Sequence, residues 1–442
     1  MHRPARDGSS GKIPLLLVFV EFSVAIDRET QVRERRIVAL IGAIQFVNIL
    51  DFVMVMPMGP DFAKGLHIDL SNLGAIGGAY TLSAAVSGVV GSLFLDRFDR
   101  RTALAWAMFG LVIGTVAGGF AWDLPSLIGA RVLAGFFGGP ASALSMSIIA
   151  DTIAPERRGR AMGAVMGAFS VASVIGIPVG LELAHRGGWR LPFFAVAGLG
   201  IIVNAFALFY LPAMRGHLDL PQEKARGLSG LLRQFSNRDA WLCYGMAIAA
   251  MGSAFMVIPN LSAYTQHNLG FPRQSLGLLY LWGGVVSFVV MRVSGWIVDR
   301  WGALGVSIAA TLVYGIVLWQ GIWQWTGNFP VLLVFVPFFI ATAMRNVSYN
   351  TLVSKVPTPA NRARFMSALS AVQHLSTACG AMASSQILSE GPDHRLIGMP
   401  QLAAISFAMS LTLPILMFLV EAQVARRAQQ ALTSLQPAAA SR

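Results

Sequence analysis

Long apolar segments alternate with short polar segments along most of the chain. A window of about 19 residues, which suits membrane helices, finds twelve apolar segments, at residues 37–60, 72–95, 102–121, 124–150, 158–183, 189–211, 240–262, 275–298, 303–322, 329–353, 362–388 and 400–423. Each has close to the ~20 residues that an α-helix needs to cross a bilayer. The pattern therefore predicts an all-α membrane protein with twelve transmembrane helices.

The longest internal polar segment, residues 212–239, divides the apolar segments six and six. The halves also share a repeat, because PERRGRAMGAVMGAFSVASVIG (155–176) aligns without gaps on PANRARFMSALSAVQHLSTACG (359–380). Such a repeat indicates duplicated halves of the same orientation, related by a pseudo-twofold axis. We therefore expect two six-helix bundles, a cytoplasmic linker and a cytoplasmic tail, at 37–211, 240–423, 212–239 and 424–442.

Residues 1–36 precede the first predicted span. Their apolar stretch, 13–26, is shorter than a bilayer span, is interrupted by Glu21 and is followed by a segment with four arginines. A signal peptide would end in a small-residue cleavage site, which this charged segment does not provide. We therefore expect a cytosolic or interfacial leader.

Composition agrees with a membrane protein: 55% of the residues are hydrophobic and 12% are charged, with a mean hydropathy of +0.62. Soluble domains carry roughly 25% charged residues. The formal net charge is +12, but the basic residues form short clusters between apolar segments instead of one solvated face, so nucleic acid is not an expected partner. An even number of spans places both termini on one side, and the basic clusters assign that side to the cytoplasm.

An aspartate interrupts the first apolar segment. Asp51 lies about 21 Å from the cytoplasmic start of its span and Arg131 lies about 10 Å from the opposite surface in the fourth span, at a rise of ~1.5 Å per residue. In a hydrocarbon core of ~30 Å the two residues lie at nearly the same level. A buried pair would reduce the cost of either charge, and its carboxylate could take up a proton when the guanidinium moves away. We therefore predict a proton-coupling role for Asp51 and Arg131, against the alternative of a structural contact between helices.

Other polar residues within the spans are candidates for a substrate path. Gln45 and Asn48 precede Asp51 at three-residue steps and share its helix face. His374, beside Gln373, titrates in a range that suits a proton relay, although a lone neutral histidine can simply bond a neighbouring helix. Arg345, near Asn350, could contact an anionic group of a substrate, or it could extend along the helix toward the cytoplasmic surface.

Five segments carry a family resemblance. They are LDFVMVMPMG (50–59), SLFLDRFDRR (92–101), RVLAGFFGGP (131–140), GIPVGLELAHRGGWR (176–190) and GWIVDRWG (295–302). In this order they resemble motifs of the major facilitator superfamily, and within it of the twelve-span, arabinose-efflux-like drug and sugar efflux antiporters. The chain departs from the family pattern at Ser92, Asp99 and Ala134, which replace two glycines and a glutamine, and Pro178 lies one place late.

The resemblance implies proton-coupled efflux of a drug-like or sugar-like molecule by alternating access in a bacterial inner membrane. The expected partners are the small-molecule substrate, protons and membrane lipid, and the chain is expected to be a monomer. The resemblance also implies a cytoplasmic gate that latches the two halves, formed by Asp96, Arg97, Arg101, Asp299 and Arg300. Solvated surface charge is the other interpretation of these five residues.

Gly176, Pro178 and Gly180 predict a bend in the fifth helix, because a proline removes a backbone donor and glycines at this spacing permit close packing. The chain has neither a phosphate-binding GxxxxGK[ST] loop nor a nucleophile elbow, and no metal-ligand spacing is present. We therefore expect no enzyme activity, no cofactor and no metal, with a proton gradient as the driving force. The alternatives are an uptake symporter on the same scaffold and a transport-inactive membrane sensor.

Overall fold

The computed structural model describes residues 15–91, 95–215, 238–325, 330–357 and 362–440. Within this part of the chain, twelve long helices form two bundles of six. The N-terminal bundle contains α1 (Leu15–Val55), α2 (Leu70–Gly91), α3 (Arg100–Gly119), α4 (Leu124–Thr152), α5 (Arg160–Gly187) and α6 (Arg190–Tyr210). The C-terminal bundle contains α7 (Ala240–Asn268), α8 (Arg273–Trp301), α9 (Ala303–Trp323), α10 (Leu332–Val353), α11 (Arg362–Ile387) and α12 (Met399–Ala440).

Eleven of these helices are long and apolar enough to cross a membrane, with α1 and α12 doing so over Gln31–Val55 and Met399–Arg426. The twelfth, α11, carries serine, threonine, glutamine and histidine along its length and packs against α2 and α7. Because neighbouring helices cover part of its surface, it tolerates polar residues that a lipid-facing helix would not. The predicted fold of twelve transmembrane helices in two six-helix bundles is confirmed.

Two ends of the molecule can be distinguished. The terminal side carries the start of the first span and the end of the last, and the distal side is the opposite end. On the distal side a short helix (Gly59–Leu66) follows α1, and a small antiparallel hairpin of β1 (Ser389–Glu390) and β2 (Leu396–Ile397) links α11 to α12. Most of the predicted linker, residues 216–237, lies outside the described residues, as do residues 1–14 of the predicted leader; residues 15–30 continue α1 as a helix.

Glycines allow the helices of the N-terminal bundle to approach closely. A Cβ atom at Gly114 would lie 2.5 Å from the backbone nitrogen of Ala134, and one at Gly135 would lie 2.2 Å from the backbone oxygen of Tyr80. Real Cβ atoms do not come so near to backbone atoms, so these contacts of α4 with α3 and α2 require glycine. They hold the residues around Arg131 in a dense core.

The predicted bend region of α5 contains a π-helical turn at Ala172–Gly176, just before Pro178. Gly176 faces α1, since a Cβ there would lie 2.5 Å from Leu50 Cδ1, and Gly180 lies next to Met54. A second π-helical turn interrupts α7 at Ile248–Gly252. Such turns occur often at functional sites because they leave backbone carbonyls free for other partners.

The two bundles meet through α2 with α11 and through α5 with α8. Polar contacts join them on the distal side. Arg273 at the start of α8 donates to Asp61 through two nitrogens, at 3.0 and 2.6 Å. The Leu70 amide donates to Glu390 Oε2 at 2.6 Å, and Ser262 Oγ donates to the Pro57 carbonyl at 2.6 Å. The described structure is therefore closed on the distal side.

Candidate functional site

The structure brings Asp51 of α1 and Arg131 of α4 into direct contact. Arg131 Nη1 lies 2.9 Å from Asp51 Oδ2, and the two side chains are 1% and 0% exposed. The second carboxylate oxygen accepts a hydrogen bond of 2.8 Å from Thr115 Oγ1 on α3. Both oxygens of Asp51 therefore have a donor, as a buried carboxylate requires.

An aromatic ring supports the guanidinium. Arg131 Cζ lies 4.6 Å from the centre of the Tyr80 ring, at the distance of a cation–π contact. Tyr80 Oη donates to Asn48 Oδ1 at 2.7 Å, and Asn48 Nδ2 donates to the Gly138 carbonyl at 3.0 Å. The ion pair is thus the centre of a hydrogen-bonded group contributed by α1, α2, α3 and α4.

The polar face of α1 is directed at α4. Gln45 Nε2 donates to Ser142 Oγ at 3.0 Å, and Asn48 makes the contacts described above. Both residues are buried, at 8% and 5% exposure. The structure therefore places the amide groups of these two predicted path residues at the contact between α1 and α4, inside the N-terminal bundle.

Aromatic contacts extend from the ion pair to the other bundle. Phe52, next to Asp51, stacks on Tyr80 with ring centres 5.2 Å apart and on Phe255 of α7 with ring centres 6.2 Å apart. Phe255 thus connects the C-terminal bundle to the ring that supports Arg131. A displacement of one bundle against the other would change these ring contacts.

Arg345 does not extend to the terminal side, as one of the two sequence interpretations had it. Its side chain is 1% exposed and lies inside the C-terminal bundle. Nη2 donates to Ser253 Oγ at 2.7 Å and to the Ala249 carbonyl at 3.3 Å, and the guanidinium lies 4.6 Å above the Tyr314 ring. Ala249 belongs to the π-helical turn of α7. The correction has a physical reason, because a hydroxyl, a ring and a backbone carbonyl of the π-helical turn solvate the cation internally.

The other candidates of the C-terminal bundle are half-buried. Gln373 Nε2 donates to Tyr349 Oη at 2.5 Å, and Asn350 Nδ2 donates to the carbonyl of Asn346 at 2.9 Å. His374 is half-buried beside Gln373 and makes no hydrogen bond with any described residue. These side chains lie on α10 and α11, apart from the ion pair of the N-terminal bundle.

The predicted gate residues lie on the terminal side. Arg97, Asp299 and Arg300 are exposed, and Arg101 Nη1 donates to the Leu211 carbonyl at 3.0 Å within its own bundle. The side chain of Asp96 lies outside the described part of the structure. Among the described side chains of this set, none forms a contact between the bundles.

Asp99 replaces a glycine of the family motif and has a structural role. Its carboxylate caps α3 by accepting from the Arg101 amide at 2.9 Å, and it lies 3.2 Å from Arg215 Nε. Burial raises the pKa of Asp99, but hydrogen bonds from the amides of Met214, Arg101 and Thr102 and from Arg215 outweigh that effect and hold the pKa below its usual range. Asp99 therefore ties the start of α3 to the segment that follows α6.

Sequence reasoning missed Tyr80 and Thr115, which contact the ion pair directly. Thr115 stands alone among small and apolar residues and Tyr80 is followed by Thr81 and Ser83; hydroxyl residues in such surroundings are too common in membrane helices to indicate a site. Only their contacts distinguish them from other buried hydroxyls.

Two bundles of membrane-spanning helices, closed at one end and with a buried ion pair inside, define the class of secondary transporters. The family model of the Major Facilitator Superfamily matches residues 41–381. The chain therefore belongs to the Major Facilitator Superfamily, and the prediction that it is not an enzyme is confirmed by that membership.

Curated relatives are distant. The uncharacterized MFS-type transporter YtbD of Bacillus subtilis is 24% identical over 260 residues, which cover 59% of this chain and 63% of that protein. The inner membrane transport protein YdhP of Escherichia coli is 28% identical over 179 residues, which cover 40% of this chain and 46% of that protein. The chain thus aligns with less than two thirds of the length of these relatives.

Solved structures share the fold. The crystal structure of a bacterial homolog to the human lysosomal transporter Spinster, in an inward-facing and unoccupied conformation, superposes with a TM-score of 0.70 at 17% identity, over 89% of this chain and 98% of that one. A D-xylose-proton symporter superposes with a TM-score of 0.68 at 17% identity, over 86% of this chain and 96% of that one. At these identities the likeness concerns the fold alone.

Proposed function

We propose that this chain exports a small drug-like or sugar-like molecule across a bacterial inner membrane, in exchange for protons, by alternating access. The observation that carries the proposal is the Asp51–Arg131 ion pair, which is enclosed by protein at the depth of the bilayer core. Ionisable residues at such a depth are costly and commonly serve as proton or ion sites.

The pair offers a way to couple proton binding to motion. In the described state the ionised carboxylate is balanced by Arg131 and Thr115. If Arg131 moves away, the carboxylate loses its counter-charge and a proton becomes the simplest means of neutralising it. A proton taken up from one side and released to the other, as Arg131 returns, would drive one cycle.

The aromatic contacts provide the link to the bundles. Phe255 belongs to the C-terminal bundle and touches Phe52, which in turn stacks on the ring beneath Arg131. Rocking of the bundles would therefore change the support of Arg131. This gives the ion pair two arrangements that solute and proton could both bias.

The closed distal side supports an orientation for the described state. Basic clusters lie mostly on the terminal side, which the positive-inside rule assigns to the cytoplasm, together with both termini. On that assignment the described state is closed to the outside. A solute would enter its path from the cytoplasm in this state, as export requires.

The test is transport by purified protein in liposomes with an imposed pH gradient, against a panel of sugars, nucleosides and cationic drugs. Solute flux and internal pH are recorded together. We expect Asp51→Asn to abolish pH-driven flux while the protein still elutes as a folded species, because its amide cannot take up a proton. Asp123→Asn, which changes a carboxylate outside the membrane segments, is the matched control and should transport like the wild type.

A normal rate of pH-driven flux in Asp51→Asn would contradict proton coupling through this residue. The same assay determines direction. Accumulation of solute along the inward proton gradient, instead of expulsion, would indicate the uptake symporter.

A further inference from the structure

Arg345 is a buried cation of the C-terminal bundle. Its guanidinium lies among α7, α9 and α10, and within the described part of the chain no carboxylate forms an ion pair with it. Nη2 donates to Ser253 Oγ and to the Ala249 carbonyl, while Nε and Nη1 are buried and have no hydrogen-bond partner among the described residues.

Arg131 provides the matched comparison. Both arginines are 1% exposed, and both lie 4.6 Å above a tyrosine ring, that of Tyr80 or that of Tyr314. Arg131 has the carboxylate of Asp51 at 2.9 Å. In place of a carboxylate, Arg345 has the Ser253 hydroxyl and the Ala249 carbonyl. Among the described residues, one buried arginine therefore has a counter-charge and the other has none.

Two buried hydroxyls lie on the helix faces that also carry Tyr314 and Ser406. Tyr314 Oη contacts Ser406 Oγ at 2.8 Å, and Thr311 and Ser410 lie one turn away from these two residues, toward the terminal side. Residues three or four apart share a helix face. Thr311 and Ser410 are 2% and 0% exposed, and their hydroxyls have no hydrogen-bond partner in the part of the chain that the structure describes. The interior of the C-terminal bundle thus offers hydrogen-bond donors on α9, α10 and α12.

Charge decides what such a group of donors would bind. Water can satisfy unpaired N–H and O–H groups, but it does not neutralise a guanidinium in a medium of low dielectric constant. An anion does both, and arginine forms two parallel hydrogen bonds with the oxygens of carboxylate or phosphate groups.

We infer that Arg345, through Nε and Nη1, binds a small anionic group inside the C-terminal bundle, with Thr311 and Ser410 as further donors. The group is either a free inorganic anion or the acidic group of the transported solute. The second source rests on the proposed transport function, and the first does not.

Thermal unfolding in detergent tests the site. The wild type is titrated with chloride and with inorganic phosphate, at an ionic strength kept constant with the bulky sulfonate anion of MES. We expect a saturable rise in Tm with at least one small anion. Arg345→Gln should remove this rise, whereas the control Arg300→Gln, at an exposed arginine of the same bundle, should keep it.

If Arg345→Gln does not assemble, Thr311→Val tests the inference in its place. This variant should raise the half-saturating anion concentration about fivefold or more. A wild-type Tm that is equal in all salts would overturn the inference, as would an unchanged response in Arg345→Gln or, where that variant does not assemble, in Thr311→Val. Water alone would then occupy the site.

Transport assays separate the two sources. A carboxylated or phosphorylated solute that competes with chloride for the Tm response, and whose flux is lost in Arg345→Gln, identifies the acidic group of the solute. An anion response without any effect of acidic solutes identifies a free ion. Asp51→Asn should keep the anion response, so the inference stands or falls separately from proton coupling.

Discussion

Two arginines inside the bilayer core are balanced in different ways. Arg131 has a carboxylate, a hydroxyl-bearing network and a ring around it, whereas the described contacts of Arg345 are all with neutral groups. Removing one member of a buried ion pair costs about 3–5 kcal/mol, because it leaves an uncompensated charge. Replacing both members with apolar side chains of similar volume is often neutral. At the scale of single residues, the pair is therefore expected to constrain function more than it adds stability.

This difference gives a prediction about stability. Arg131→Met should lower the free energy of unfolding by about 3–5 kcal/mol, since Asp51 would remain buried without its cation. The double variant Asp51→Leu with Arg131→Met should recover most of that loss. Unfolding by denaturant in mixed micelles measures the loss of stability in Arg131→Met, in Asp51→Leu and in the double variant. A loss in the double variant equal to the sum of the two single losses would show that the residues act independently.

At the scale of helices, glycines determine how closely α2 and α11 approach. A Cβ atom at Gly74 would lie 2.0 Å from the Ala381 carbonyl oxygen, and one at Gly78 would lie 2.5 Å from Met382 Cγ. Gly88 is on the same helix, but a Cβ there would meet nothing within 4 Å. The two glycines in close contact with α11 thus lie in the distal half of α2, where the bundles are joined.

Gly74→Val should open the distal side, because the added side chain collides with the backbone of α11. Overpacking of this kind costs about 1–3 kcal/mol, and separation of the bundles relieves it. Spin labels at Lys64→Cys and Arg395→Cys, in a chain without Cys243 and Cys379, report the distance between bundles. Gly88→Val is the control and should keep the wild-type distance distribution. The prediction is wrong if Gly74→Val and Gly88→Val give the same distribution.

At the scale of the whole molecule, the distal side has a latch between the bundles. Asp61 and Arg273 are each 23% exposed and form two charge-assisted hydrogen bonds. Arg273 Nη2 also reaches the Leu181 carbonyl of α5 at 3.5 Å. Glu390 and Ser262 add contacts across the same boundary. The latch stabilises the state that is closed on this side and is absent from any state that opens there.

Asp61→Arg should therefore increase the population open on the distal side. A pair of charge-assisted bonds contributes about 1.5 kcal/mol or more, which corresponds to roughly tenfold in the ratio of the two states. The label pair at positions 64 and 395 measures the ratio. The charge swap of Asp61→Arg with Arg273→Asp should restore the closed state, and failure of the swap would mean that the two residues do not interact across the boundary.

Much of the architecture could be predicted from the chain. Apolar segments of bilayer length predict helices, since the backbone must satisfy its own hydrogen bonds in lipid. The polar segment 212–239 and the repeat at 155–176 and 359–380 predict two equivalent halves. The level of Asp51 and Arg131 along their helices also follows from a constant rise per residue. These properties depend on local sequence and on the thickness of the membrane.

The rest depended on how the helices rotate about their axes and pack. A one-dimensional pattern does not say that Gln45 and Asn48 turn toward α4, that Tyr80 and Thr115 join the ion pair, or that Arg345 lies inside its bundle. Those contacts arise from the side-chain volumes of several helices at once, and glycines such as Gly114 and Gly135 permit them only together with their partners. The chain alone determined twelve spans and a buried acid at the level of Arg131; tertiary packing decided which hydroxyl and which ring join that ion pair and which end of the molecule is closed.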